Sequence, residues 1–242
     1  MRIKILTYNI HKGFDTIGVR DTLRSIKTVL DEKEADICFL QEVVGQKKPI
    51  KNEIENQLEF LADKTWPYFS YGKNAVYPKG NHGNAILSLY PIIEYKNVNL
   101  TLTKYEQRGL LHAKIKINDN QDILHLLNTH INLRTSDRLE QMLIIKDYIE
   151  KEIPSKSKVI LCGDLNDWNF KVDEFICNEM NMIDIHRHIK GYAARTFPSV
   201  FPFLCLDRIY YRNLKPLEIR VLDQNQWKIL SDHLPIKAEF VI

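Results

Sequence analysis

Carboxylate, amide and imidazole side chains recur at the ends of the apolar runs of this sequence. The clearest case is Ser231-Asp232-His233, which places a carboxylate beside an imidazole just before the last apolar run. The other positions of this kind are Asn9, Glu42, His130, Asp164 with Asn166, and Asp207. Side chains at strand ends can meet at one edge of a sheet. The pattern therefore predicts one polar site, to which distant parts of the chain contribute.

Several of these residues offer the oxygen ligands that a hard divalent cation prefers. They are Glu42, Asp164, Asn166 and Asp232. Mg²⁺ commonly takes one or two protein carboxylates and keeps several waters that a phosphate can displace. His186 and His188 lack partners at the spacing of a zinc site. The residue types therefore predict Mg²⁺, with Mn²⁺ as a possible substitute, rather than Zn²⁺.

An imidazole next to a carboxylate site suggests acid-base chemistry. Asp207 is expected to hold one ring nitrogen of His233 and so fix its tautomer. Hydrolysis of a phosphodiester needs charge stabilisation on the phosphoryl oxygens, an oriented water and help for the leaving oxygen. A metal at Glu42, Asp164 and Asn166 that orients water, with His130 and His233 over the phosphate, would cover all three needs.

Each residue taken alone also has a structural interpretation. Asp164 and Asn166 are typical of a turn or helix cap, and Asn9 of a strand-end hydrogen bonder. His130 alone fits a core histidine. Arg138 fits the solvated start of a helix. A cation is unfavourable at a helix N-terminus, so its presence there favours an anionic ligand nearby. Only the joint order of these residues supports a site.

Apolar periodicity predicts the elements that must position them. Strands are predicted at residues 2–10, 36–40, 83–88, 110–117, 123–129, 159–162, 206–211, 217–222 and 234–241. Helices are predicted after Asp21, around residues 58–61, from a capping box at Asp137 and Glu140, and over residues 173–182. Asn118-Asp119-Asn120 predicts a hairpin turn, and residues 195–203 a long loop near the site. Hairpins mixed with strand-helix-strand units favour an α/β fold with mixed sheets.

The composition is that of an ordinary globular protein, with 44% hydrophobic and 27% charged residues among 242. Nothing marks a domain boundary, so one domain over residues 1–242 is expected. A net charge of +3 permits phosphate-bearing partners without predicting them. There is no apolar stretch typical of a signal peptide and no run near the roughly 20 residues of a membrane span. We therefore expect a cytoplasmic protein without an obligate protein partner.

Six segments, taken in order, resemble the endonuclease/exonuclease/phosphatase superfamily, also called DNase I-like. They are Thr7-Tyr8-Asn9-Ile10, Leu40-Gln41-Glu42, Asn128-Thr129-His130, Gly163-Asp164-Leu165-Asn166, Leu206-Asp207-Arg208-Ile209 and Ser231-Asp232-His233. Residues 83–91 and 196–199 further resemble a branch of small bacterial members. The resemblance spans the chain and implies a four-layer α/β sandwich. Two mixed β-sheets would pack face to face, flanked by helices, with the site at one edge.

The resemblance also implies how a metal is held. Glu42 would be the principal Mg²⁺ ligand, with Asn9 beside it and Asp232 near the metal. Asp164 and Asn166 would orient the nucleophilic water and the phosphate. These residues would form the acidic half of the site.

The histidines would form the other half. His233, paired with Asp207, would contact the scissile phosphate or act as base, and His130 would contact the phosphate or assist the leaving group. His130 stands where abasic-site endonucleases carry tyrosine, and Arg208 follows Asp207 where they usually carry an aromatic residue. A repair endonuclease is therefore disfavoured. The partner of His130 stays open, with Asn81 and His82 in the neighbourhood where it would lie.

The candidate substrate contacts are Asn9, Asn84, Arg108 and Arg138. The two arginines are included because a guanidinium fork suits phosphate. Surface ion pairs explain the two arginines as well. The substrate is open among nucleic acid, a phospholipid headgroup and a small phosphodiester. A pI near 8.5 and the lysines at 47, 48 and 51 favour nucleic acid, whereas the lack of a long basic insertion does not. Aromatic segments 66–71 and 197–203 favour lipid through an apolar rim. A binding protein that lost catalysis is the alternative outside enzymes.

Overall fold

Two six-stranded β-sheets pack face to face in the computed structural model, with helices on their outer sides, so the predicted four-layer α/β sandwich is confirmed. The structure describes residues 1–32, 34–47, 54–78, 80–117, 123–224 and 226–242. The strands are β1 Arg2–Asn9, β2 Ile37–Lys47, β3 Tyr68–Tyr77, β4 Gly80–Ser88, β5 Ile92–Asn99, β6 Gly109–Lys116, β7 Ile123–His130, β8 Lys158–Asp164, β9 Ile183–Asp184, β10 Asp207–Arg212, β11 Lys215–Val221 and β12 Ile236–Val241. The helices are α1 Leu23–Asp31, α2 Gln57–Ala62, α3 Thr135–Glu152, α4 Lys171–Glu179, α5 Ile185–Lys190 and α6 Trp227–Leu230.

The strand order brings chain-distant strand ends to one edge. The first sheet runs β11-β12-β1-β2-β4-β3 and the second β5-β6-β7-β8-β10-β9. The pairs β1–β2 and β7–β8 are parallel, so each pair ends at the same edge, where the antiparallel neighbours β12 and β10 begin. In register, His130 lies beside Asp164 and Asp164 beside Asp207, while Asn9 lies beside Gln41.

Alternation along β1 explains why its two faces enter different layers. Ile3 and Ile5 lie in the apolar layer between the sheets, whereas Leu6 and Tyr8 pack on the other face with residues of α1 and α2. All four are fully buried. Burying each aliphatic side chain contributes about 1.5–3 kcal/mol. The same face that carries Ile3 and Ile5 ends at Asn9, so core packing also directs Asn9.

A buried amide network joins the sheets just beneath that edge. Gln41 Nε2 donates to Asn128 Oδ1 at 2.8 Å, across from the first sheet to the second. Asn128 Nδ2 in turn donates to the carbonyls of Leu40 and Ala85. Buried amides without partners are costly, so this network favours one alignment of the sheets. It fixes how the two sets of strand ends face each other.

The start of α3 differs from the predicted capping box. Arg134 is the N-cap residue, and no side chain caps the helix there. Asp137 instead accepts hydrogen bonds from Asn132 Nδ2 and Ser136 Oγ. The helix begins at Thr135, about one turn earlier than the box requires, and its buried stripe comprises Arg138 and residues 141, 142, 145 and 149.

Sequence periodicity missed mainly the exposed outer strands. β3 and β5 lie at sheet edges, and β5 has no fully buried position, so their sequences lack clean alternation. The predicted turn at residues 118–120 and the lysines at 48 and 51 lie outside the described residues. Within the described ranges, no helix is long and apolar enough to span a membrane.

Candidate active site

A β-bulge directs Glu42 into the polar site. The pairing of β2 with β4 shifts between Leu40 and Val43, so Gln41 and Glu42 together oppose one residue of β4. Glu42 takes a positive φ of 57°, which a residue other than glycine rarely adopts. The sequence predicted that this strand stops at residue 40, which is wrong: it continues to Lys47. The bulge places Glu42 Oε1 3.9 Å from His130 Nδ1, across the sandwich.

Asp164 lies at the centre of the cluster and is almost fully buried. Its Oδ2 accepts a hydrogen bond from Asn9 Nδ2 at 3.0 Å, which links the two sheets. The same oxygen lies 3.5 Å from His130 Nε2 and 3.6 Å from His233 Nε2. Oδ1 accepts from the backbone N–H of Asn166 at 3.0 Å. One carboxylate therefore faces an amide and two imidazoles.

His233 and Asp207 form the pair predicted from the sequence. His233 Nδ1 lies 2.8 Å from Asp207 Oδ2, which also accepts from Thr196 Oγ1 at 2.6 Å. The Phe197 ring packs on the imidazole at 4.9 Å. Because Nδ1 donates to Asp207, the opposite nitrogen, Nε2, faces Asp164. The pair thus fixes which nitrogen the site can use.

The two imidazoles differ in their pKa values. Burial lowers the pKa of His233, but Asp207, Asp164 and Asp232 together outweigh burial and raise it to about 10. Burial and the nearby positive charge of Arg108 hold the pKa of His130 well below its ordinary value. The charged imidazole of His233 suits contact with an anion. The neutral imidazole of His130 suits acceptance of a proton.

These geometries agree with a direct sequence match. The sequence pattern of the Endonuclease/Exonuclease/phosphatase family matches residues 6–233, a range that includes all the strand-end residues of the cluster. The chain belongs to this family. Members of the endonuclease/exonuclease/phosphatase family are phosphoester hydrolases and generally depend on divalent metals.

Relatives and solved structures extend the likeness over the whole chain. The chain is 38% identical over 241 residues to the Uncharacterized protein YbhP of Escherichia coli K12, covering 98% of this chain and 95% of the relative. It superposes on an endonuclease/exonuclease/phosphatase from Beutenbergia cavernae with a TM-score of 0.85 at 20% identity, covering 100% of this chain and 72% of that chain. It superposes on D. rerio TDP2 complexed with a single strand DNA product with a TM-score of 0.77 at 19% identity, covering 100% and 99%. The structural likenesses support the fold alone.

The acidic side of the site offers oxygen donors of the kind that a hard divalent cation prefers. Burial raises the pKa of Glu42, but Lys12, His11 and His233 outweigh it, so the pKa is lowered and the group is a carboxylate. Its Oε2 is buried and makes no hydrogen bond to any described residue. A buried carboxylate is costly unless cations neutralise it, and the only described cation at this oxygen, Lys12 Nζ, lies 3.5 Å away, beyond close hydrogen-bond distance. The donor set therefore fits a hard divalent cation at Glu42.

A second group of possible ligand atoms has another explanation. One ligand atom each of Asp164, Asp207 and His233 lie within 4.8 Å of one another. His233 and Asp207 are already hydrogen bonded to each other, and Mg²⁺ prefers oxygen over nitrogen. These contacts place the three side chains in the imidazole network.

Asn9, Asp232 and Asn166 complete the cluster. Asn9 Oδ1 accepts from the backbone N–H of His11 at 3.1 Å, and Asp232 Oδ1 lies 3.6 Å from His11 Nδ1. Ser231 Oγ lies 2.8 Å from the Asn9 carbonyl and 3.3 Å from Asp232, so it braces both. Asn166 Nδ2 donates to the Ile131 carbonyl, which ties the turn after β8 to the turn after β7.

His11 and Lys12 are site residues that the sequence interpretation missed. They form a 3-10 turn directly after β1, with positive φ angles of 46° and 56°. Lys12 Nζ lies 3.5 Å from Glu42 Oε2. Residues other than glycine with positive φ angles are found more often at functional sites than elsewhere. The available signal was their position next to Asn9, at the end of a core-facing strand.

Three predicted substrate contacts lie outside the central cluster. Asn84 is buried and donates to the Gly109 and Asn128 carbonyls, so it joins β4 to the second sheet. Arg138 is fully buried, and its guanidinium donates to the Leu133 carbonyl, to Thr135 Oγ1 at the start of α3 and to Asn169 Oδ1. The buried position of Arg138 therefore favours a structural role. Arg108 alone of the three opens into a cleft beside Glu42.

Gly163 controls the approach of β8 to β7, next to Asp164. A Cβ at this position would lie 1.8 Å from the Thr129 carbonyl oxygen, and φ is +147°. Gly163→Ala is expected to lower the free energy of unfolding by about 3 kcal/mol or more. Gly191→Ala is the control, because φ is also positive there but nothing lies within 4 Å. Its expected cost is about 1 kcal/mol, and equal costs in urea unfolding would contradict the steric argument.

Proposed function

We propose that this chain is a Mg²⁺-dependent phosphodiesterase that transfers the phosphoryl group of its substrate to water. The observation that carries the proposal is the meeting of Asp164 with two imidazoles, at 3.5 and 3.6 Å, beside the Glu42 carboxylate, whose buried Oε2 makes no hydrogen bond within the described residues. These groups come from strand ends of both sheets. Such a set serves hydrolysis of a phosphate better than it serves packing, because each polar group must be desolvated to sit there.

Glu42 is the proposed main ligand of Mg²⁺, with Asn9 and Asp232 beside it, and Mn²⁺ is expected to substitute. Bound Mg²⁺ would supply positive charge to the phosphoryl oxygens. Asn9 is already oriented by two hydrogen bonds, one to Asp164 and one from the backbone of His11. Preorganised ligands of this kind lower the cost of binding.

Asp164 and Asn166 are proposed to orient the attacking water and the phosphate. The water oxygen forms the new bond to phosphorus, the ester bond breaks, and the leaving oxygen ends with one proton of that water. His233 presents Nε2 to the phosphate, because Asp207 holds Nδ1. His130, on the other side of Asp164, is proposed to contact the phosphate or the leaving oxygen.

A metal-dependent substrate panel tests the proposal. The panel contains plasmid DNA, RNA, phospholipids, phosphoinositides and bis(4-nitrophenyl) phosphate. We expect hydrolysis of at least one member only with Mg²⁺ or Mn²⁺, and a metal-induced rise in Tm, since a ligand of the folded state stabilises it. Glu42→Gln is expected to remove the rise, whereas Glu150→Gln, exposed on α3, keeps it. The proposal is overturned if the wild type hydrolyses no member of the panel and shows no metal-induced rise in Tm.

An apolar rim supports a second candidate, hydrolysis of a phospholipid headgroup. Leu133, Trp168, Phe201 and Phe203 are at least half exposed, and each lies on a loop that follows or precedes a site residue. Large apolar side chains exposed on loops next to a site suit contact with an apolar partner. Segment 66–71 does not belong to this rim, because Tyr68 pairs with Ser88 at the far end of the sheet. Faster hydrolysis of micellar than of monomeric lipid, with little dependence on salt, is expected for this candidate, and a steep salt dependence favours nucleic acid.

A further inference from the structure

A cationic cleft opens beside the metal side of the proposed site. It has a volume of about 430 Å³ and lies between the start of β4 and the loop that precedes β6. Its charged lining consists of Lys12, Lys104 and Arg108 with Glu42 and Glu106. Lys12 and Glu42 also belong to the central cluster, so the cleft is continuous with the place proposed for the scissile phosphate.

The charge of this cleft becomes more positive when the proposed metal is bound. Glu106 is engaged with Arg108, although the contact of 3.4 Å is long. Glu42 is the carboxylate that a metal would neutralise, and this would release Lys12 from its ion pair. Lys104 is exposed and has no carboxylate within ion-pair distance among the described residues. Cations would then outnumber free carboxylates in the cleft.

Two buried nitrogens without hydrogen bonds lie on residues that line the same cleft. Arg108 Nε is buried and makes no hydrogen bond within the described part of the chain, and His82 Nδ1 is in the same situation. Both residues line the cleft. The backbone of Arg108 is pinned, because its N–H donates to Thr101 Oγ1 and its carbonyl accepts from Leu100. A buried guanidinium nitrogen without an acceptor is costly, and a phosphate oxygen would satisfy it.

We propose that this cleft binds a second phosphate group of the substrate, next to the one that is hydrolysed. The inference rests on the proposed function and adds to it a substrate class: phosphodiesters that carry a further phosphate. Arg108 supplies the fork that suits phosphate, and Lys104 and Lys12 supply point charges on either side. A substrate without the second phosphate leaves Arg108 Nε unsatisfied and is expected to react more slowly.

A matched pair of chromogenic substrates tests this inference. Thymidine 5′-(4-nitrophenyl phosphate) is compared with the same compound bearing a 3′-phosphate, so only the second phosphate differs. With Mg²⁺, the wild type is expected to show at least about tenfold higher kcat/KM on the phosphorylated compound, as one charge-assisted contact permits. Arg108→Gln and Lys104→Gln are expected to lower that ratio toward 1, whereas Lys151→Gln, exposed on α3, keeps it. A wild-type ratio near 1, or a ratio unchanged in Arg108→Gln, would overturn the inference.

A binding measurement separates failure of the cleft from failure of the proposed function. The Asp164→Asn variant with Mg²⁺ is titrated with thymidine 3′,5′-bisphosphate and with thymidine 5′-monophosphate. We expect the bisphosphate to bind at least about tenfold more tightly than the monophosphate, and we expect Arg108→Gln to abolish this difference. That result supports phosphate binding in the cleft even if neither chromogenic compound is hydrolysed. Equal affinities overturn it. Loss of all metal-dependent hydrolysis across the panel instead counts against the proposed function.

Discussion

Replacing Asp164 by asparagine is expected to lower kcat/KM by about 10³-fold or more on whichever substrate the panel identifies. The shape of the side chain is kept, but its negative charge beside His130 and His233 is removed. A neutral amide cannot orient water as a carboxylate does. Steady-state kinetics with Mg²⁺ measure the change, and far-UV circular dichroism checks that the fold is intact.

The matched control for this prediction is Asp147→Asn. Asp147 is an exposed residue of α3, so the same chemical change is made far from the strand ends that form the site. It is expected to keep full activity. If Asp164→Asn retains more than about a tenth of the wild-type kcat/KM, Asp164 does not have the central role proposed for it.

Replacing His233 by glutamine is expected to lower kcat/KM by about 10²- to 10³-fold. Asp207→Asn is expected to cost nearly as much, because Asp207 acts through the position and tautomer of the imidazole that it holds at 2.8 Å. The double variant is therefore expected to be no worse than His233→Gln alone. This non-additivity separates a positioning role for Asp207 from an independent one.

Asp223→Asn serves as the control, since Asp223 is an exposed residue between β11 and α6. Thermal unfolding of every variant shows whether lost activity follows lost structure. Losses that simply multiply in the double variant would show that Asp207 and His233 contribute separately. In that case the pair would be a structural contact rather than a functional unit.

Most of the site was predictable from local patterns. Asn9, His130, Asp164 and Asp207 stand at or beside the ends of strands whose apolar residues have clear periodicity. A strand that is buried on one or both faces must alternate or be apolar throughout, so its end can be read from the sequence. The Asp207–His233 pair was anticipated in the same way and is present at hydrogen-bond distance.

Other features depend on contacts between elements. The continuation of β2 beyond Leu40 and the bulge at Glu42 follow from pairing with β4, a later strand. His11 and Lys12 belong to the site only because the fold places them beside Asp232 and Glu42, respectively. Arg138, predicted as a substrate contact, is instead enclosed by the loops after β7 and β8.

The sequence by itself determined the α/β class, the strand ends and the kinds of chemical group placed there, because burial imposes its period locally along the chain. Only the tertiary structure decided which groups meet. Register between strands, the amide network of Gln41 and Asn128, and the bulge at Glu42 set distances of a few ångströms between residues that are far apart in the chain, 155 positions for Asn9 and Asp164 and 87 for Gln41 and Asn128. Those distances depend on packing between sheets, and no local pattern contains them.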